Sequence, residues 1–141
     1  MEPSDIDVRL FRPKVLELIR TFGPTGCQLT IVDSVQEWAK GAGIAEDNPF
    51  RAAMAATNRA DGTPTIILRA CITADIQGSV IGALLFRDFG KTVDRLNDPA
   101  VFLEHLVLHE IAHLVLESPS ESDCDRWAFE RLGGGRRLTT A

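Results

Sequence analysis

The chain is short of several features that would place it outside the ordinary globular proteins. Its 141 residues include only three cysteines, Cys27, Cys71 and Cys124, widely spaced and without a C-x-x-C pair. That argues against a disulfide framework or a ribbon-type zinc site, and for a reducing compartment. Positive charge is also scarce, with 15 Lys and Arg against 20 Asp and Glu and a formal net charge of −5. No broad basic surface is available to release counterions from a nucleic-acid backbone, so DNA or RNA is not expected as the main ligand. Arg136-Arg137 and Arg12 with Lys14 read as solvated termini. The longest apolar run, SVIGALLF at 79–86, falls far below the roughly 20 residues of a bilayer span. The opening MEPSDIDVRLFRP is acidic where a signal peptide is basic. A cytoplasmic location without a membrane partner is therefore expected.

What is present is the composition of one soluble domain, 45% hydrophobic and 25% charged, and a single domain over residues 1–141 is expected. PKVLELIRTF at 13–22 starts with proline and spaces its apolar residues as a helix that Gly23 stops. CQLTIV at 27–32 reads as a strand, and SVQEWAKGAG as a short helix capped by Ser34 with Glu37. Residues 50–59 are ambiguous: their alanines favour a helix, while Asp61-Gly62 could close a hairpin onto a strand at 64–72. Residues 73–97 give only weak short elements.

From Asp98 the signals sharpen. Asp98 is a natural N-cap and Pro99 suits the first helical position, which predicts a long helix over about 99–117. SPSE breaks it, and Ser118-Pro119 starts a second helix over about 119–132, which the glycines at 133–135 end. On the long helix, Val101, Leu103, Val107, Leu108, Ile111, Ala112, Leu114 and Val115 cover half of the circumference or more. The remaining stripe is His105, His109, Glu110, His113 and Glu117, and no Lys or Arg falls between Pro99 and Glu117.

His109 and His113 lie one turn apart on one face, so both imidazoles can reach a single tetrahedral Zn²⁺. Glu110 sits beside the first of them, turned away from direct ligation, where it can take a proton from a water that the metal acidifies and pass it to a departing amine. H-E-x-x-H with these roles is the chemistry of peptide-bond hydrolysis. His105 is one further turn along the axis, too far to share the ion comfortably, and reads as a surface or hydrogen-bonded histidine before a substrate contact.

A catalytic zinc usually has three protein ligands and one open position. After His113 the candidates are Glu117, Glu121, Asp123, Cys124 and Asp125. Glu117 continues along the helix rather than across it. Cys124 reads best as a small buried residue. Glu121 is balanced between ligation and a capping box formed with Ser118.

HEIAH followed by ESDCDRWAFERL resembles the gluzincin arrangement, H-E-x-x-H and then E-x-x-x-D on the next helix. More narrowly it is similar to the ImmA/IrrE-type metallopeptidases, in which Glu121, Asp123, Asp125, Trp127 and Ala128 match the second-helix pattern. The resemblance implies one zinc per chain held by His109, His113 and Glu121, with Asp125 orienting a ligand histidine. It also implies that TPTIILRA is an edge strand, so that Ile66, Ile67 and Leu68 would receive an extended peptide by strand addition. With no tyrosine in the chain, the oxyanion needs another donor, for which His105 and Arg126 are the candidates.

The expectation is thus an α+β, small zincin-like domain: a short twisted sheet packed against the HExxH helix and a following glutamate helix. Its function would be that of a zinc metallopeptidase, in the likeness of the family a regulatory protease acting on a peptide, protein or regulator. The alternatives are an inactive zincin-like binding module and a zinc hydrolase of a small amide.

Overall fold

The computed structural model describes residues 2–87 and 93–133. Gly134, Gly135, Arg136, Arg137 and part of the weakly patterned 73–97 stretch lie outside the described residues. The rest is a small mixed α+β domain of five α-helices and a short sheet. These are α1 (Arg12–Phe22), α2 (Val35–Gly41), α3 (Ala74–Phe86), α4 (Pro99–Val115) and α5 (Glu121–Arg131).

The strands are β1 (Ile6–Asp7), β2 (Gln28–Val32), β3 (Ala53–Thr57), β4 (Pro64–Arg69) and β5 (Cys71–Ile72). β1 and β5 form a small antiparallel pair, and the main sheet runs in the order β2-β4-β3, with β2 parallel and β3 antiparallel to β4. Side chains of β4 alternate between two cores, as a sheet covered on both faces requires. Ile66 and Leu68 join the main core with α1 and α4, while Ile67 packs with Met54, Val35 and Ala39 on the α2 side.

This order corrects the expected edge strand. β4 is the middle strand, paired on both sides, and Ile66, Ile67 and Leu68 are completely buried. None of the three can accept a peptide by strand addition. The edge strand beside α4 is β3, the alanine-rich stretch whose helix propensity competed with the hairpin reading. Its alanines suit a strand lying close to a helix, so packing overrides propensity. The hairpin closes through residues 58–63, where Asn58 Oδ1 accepts from the N–H of Ala60 and Asp61, and Gly62 takes φ +74°.

α4 runs through the middle of the domain. Every residue from Phe102 to Ala112 is buried, so the polar stripe meets bulk water only at its end, where His113 is half-buried and Glu117 exposed. Asp98 caps it as expected, Oδ1 accepting from the N–H of Ala100 and Val101. Glu104, buried on the same helix, is neutralised by Lys14 Nζ at 3.1 Å and bonded by the N–H of Gly133. α5 begins later than expected. Its N-cap is Ser120, which accepts from the N–H of Asp123 at 3.2 Å, and Ser118 lies in the connection. The unassigned 73–97 stretch contains α3, with Thr73 as its N-cap.

Candidate metal centre

α4 ends at Val115, Leu116 caps it, and Glu117 adopts φ 50°, the left-handed conformation in which a chain commonly leaves a helix. The connection then reverses and sets Glu121 at the first position of α5, against the histidine face of α4. Glu121 Oε2 lies 2.7 Å from His109 Nε2 and 3.4 Å from His113 Nε2, and the two Nε2 atoms are 3.2 Å apart. The capping-box alternative for Glu121 fails because Ser120, one residue away, is the cap.

Each imidazole is held from behind. His109 Nδ1 donates to Asp125 Oδ1 at 2.6 Å, and His113 Nδ1 donates to the carbonyl of Ser118 at 2.8 Å. With both Nδ1 atoms carrying protons, the lone pairs that remain for a cation are those of Nε2, which converge on Glu121. A tetrahedral ion with bonds of about 2.1 Å places its ligand atoms about 3.4 Å apart. Two of the three separations are already near that value, and the shortest needs to open by only about 0.7 Å. His109, His113 and Glu121, whose ligand atoms all lie within 4.8 Å of one another, are therefore a triad that could hold a metal ion.

The electrostatics point the same way. Hydrogen bonds from His109 and then His113 hold the Glu121 carboxyl far below the usual carboxylate range. Burial opposes a charge on His109, but the bonds to Asp125 and Glu121 overcome it and raise that imidazole to about 10. His113 is raised by its bond to Glu121 against the opposing effect of burial. The cluster thus favours positive charge at its centre, which a proton or a metal cation can supply. Glu110 is buried on the same helix, and desolvation lifts its carboxyl above the ordinary value against the pull of His109, Arg51 and His113.

The cluster opens on a cavity of about 600 Å³. Its floor is α4, through His105, Leu106, His109 and Glu110; α3 supplies one wall and the start of β3 another. His105 is 2% exposed, which overturns the surface reading. Its ring packs 4.4 Å from that of Phe129, and its Nε2 lies 3.7 Å from Asp125 Oδ1 without a hydrogen-bond partner. Burial pushes it down to about 4, so it is neutral at physiological pH. Arg126 is exposed, paired with Asp123 at 3.3 Å, and lines a separate surface depression with Trp127. It is not part of the cavity. Cys124 is buried, with Sγ 3.4 Å from His113 Nδ1, desolvation raises its thiol to about 11, and it does not join the His109, His113 and Glu121 cluster.

Three arginines that the sequence did not single out line this cavity: Arg51, Arg69 and Arg87. Arg51 bonds the carbonyl of Ala53 and pairs with Glu46, while Arg87 donates from Nε and Nη2 to Asp125 Oδ2 at 2.9 and 2.7 Å. They come from separate elements and lie 18 residues apart, too far for a local pattern to announce them. Comparisons with family models, with curated proteins and with solved structures returned no match.

Proposed function

We propose that the protein is a zinc-dependent peptidase of zincin-like architecture, with His109, His113 and Glu121 as metal ligands and Glu110 as general base and acid. One observation carries the reading: two imidazoles, each anchored through Nδ1 to Asp125 or the Ser118 carbonyl, direct both Nε2 atoms at a carboxylate, with an acid beside them in a cavity. Zinc bound there would supply a Lewis acid that acidifies water and polarises a carbonyl. Glu110 takes up the proton on its carboxylate and returns it to the leaving amine, a role to which a desolvated carboxyl with a raised pKa is suited. Asp125 and the Ser118 carbonyl keep the two rings aimed.

The substrate's main chain would lie along β3. Arg69 N–H donates to the carbonyl of Ala52 at 2.9 Å, and the alternation of an antiparallel ladder then turns the polar groups of Ala53, Ala55 and Thr57 to the outer edge. That edge offers an extended peptide its ladder, with the Ala53 carbonyl already taken by Arg51. The likeness to ImmA/IrrE-type metallopeptidases in residues 98–132 supports the same reading. A second one, hydrolysis of a small amide, is favoured by the cavity, whose volume lies in the range of small-ligand sites.

The test compares wild type, Glu110→Gln and His109→Ala for bound zinc and for cleavage of a peptide library and of small amides. One zinc per chain is expected in wild type and in Glu110→Gln, much less in His109→Ala, and turnover in wild type alone. Wild type that stays metal-free with zinc supplied sinks the proposal. Full zinc without cleavage of any substrate replaces it with a binding module.

A further inference from the structure

Among the helices, α3 has a thin attachment to the rest. Its 13 residues bury only Ile76 and Leu84, and Leu85 and Phe86 at its end are exposed. A Cβ added at Gly78 or Gly82 would meet nothing within 4 Å. Yet this helix walls the cavity opposite the histidines, through Thr73, Ser79, Val80 and Ala83. Among the described residues, two of its side chains tie it to other elements by hydrogen bonds. Gln77 Nε2 donates to the carbonyl of Leu96 at 2.8 Å, and Arg87, the C-cap, makes its forked pair of bonds to Asp125 Oδ2.

We propose that Arg87 is a positioning residue for the metal, acting through Asp125 on His109, and that it thereby couples the order of α3 to occupancy of the metal site. The inference rests on the zinc reading above. Asp125 is 1% exposed and has two histidines within reach of the same oxygen: His109 Nδ1 at 2.6 Å from Oδ1 and the unpartnered His105 Nε2 at 3.7 Å. What decides between them is how the carboxylate is turned. Two N–H groups of a planar guanidinium fix Oδ2, and with Oδ2 fixed, Oδ1 faces His109. Without them a buried carboxylate oxygen loses its partners, which is costly enough to make the group rotate towards His105 or water. His109 would then lose the acceptor that holds its ring. Linkage makes the effect mutual: if Arg87 favours metal binding, bound metal favours the Arg87–Asp125 contact and with it the end of α3.

The experiment measures zinc dissociation constants by chelator competition for wild type, Arg87→Met, Arg87→Lys, Asp125→Ala and the Arg87→Met/Asp125→Ala double variant. Amide exchange in α3 is followed with and without zinc. Arg87→Met is expected to weaken zinc by about 10- to 100-fold, as loss of a supporting partner around a ligand histidine does. Lysine should restore part of the affinity, since an ammonium keeps the charge and loses the fork. The double variant should bind no more weakly than Asp125→Ala alone, because the two residues act in series. Zinc should slow exchange in α3 of wild type and not of Arg87→Met. If Arg87→Met does not fold, Arg87→Lys and Asp125→Ala carry the same comparison. Wild type that takes up no zinc overturns the peptidase reading and this inference together. Tight zinc in wild type with unchanged affinity in the Arg87 variants overturns the inference alone, as does a double variant whose loss is the product of the two single losses.

Discussion

The carbonyl oxygen of Ser118 accepts the Nδ1 proton of His113 at 2.8 Å, so the main chain of the connection that delivers Glu121 also aims the second histidine. His109 is treated differently, its proton going to a side chain, Asp125, on the helix beyond. One short reversal between α4 and α5 therefore serves two of the three residues of the candidate metal triad.

Capping and ligation at the start of α5 fall on adjacent residues and should separate by mutation. Ser120→Ala removes the acceptor of the Asp123 N–H and is expected to lower stability by about 1 kcal/mol, roughly 3 °C in Tm, with zinc still bound. Glu121→Ala is expected to abolish tight zinc binding. Thermal melts paired with metal analysis decide the matter, and full zinc in the Glu121→Ala variant would remove Glu121 from the ligand set.

Proline scanning of β3 tests the proposed peptide-binding edge. At Ala55 the N–H points outward, so Ala55→Pro should keep the fold and take away a bond to substrate. At Met54 the N–H belongs to the ladder with β4, and Met54→Pro should destabilise the domain by about 3 kcal/mol or more. The expected pattern is a folded, zinc-loaded Ala55→Pro protein with kcat/KM for peptides down by at least about tenfold, one bond to a charged or ordered partner being worth that much. Undiminished peptide cleavage by that variant would place the substrate elsewhere.

The thiols give a pH-dependent readout away from the site. Burial raises Cys27, and burial followed by the Asp5 carboxylate raises Cys71. A raised thiol pKa means less thiolate at a given pH, so both should alkylate more slowly at about pH 8 in the native protein than in the urea-unfolded chain. The gap should narrow as the pH climbs through the raised values. Residue-resolved mass spectrometry of iodoacetamide labelling measures it, and native labelling at about pH 8 as fast as unfolded labelling would contradict the partial burial of these groups.

Much of the candidate metal centre was legible because its geometry is local. H-E-x-x-H places two rings one turn apart whatever the surroundings, and Asp98-Pro99 starts the helix by capping alone. Glu121 and Asp125 needed the pattern of a second helix as well. What stayed hidden depends on packing between distant segments. The strand order β2-β4-β3 cannot be read from the apolar run of β4, since a central strand and an edge strand both carry Ile and Leu. α3 escaped because its apolar residues and two glycines leave no helical period to detect. Arg87 reaches Asp125 across 38 positions of sequence, a pairing that only the closed fold brings about.

Between the cap of α4 at Leu116 and the cap of α5 at Ser120 stand three residues, Glu117, Ser118 and Pro119, and the first already takes a left-handed backbone. The segment behaves as a ruler with no slack. Adding or deleting one residue between His113 and the end of α4 would turn the connection by about 100° around the helix axis and swing Glu121 off the histidine face. In any population of descendants of this chain, the His113-to-Glu121 interval should therefore tolerate changes of residue far better than changes of length, while the 58–63 hairpin tip, which aims nothing, is free to grow.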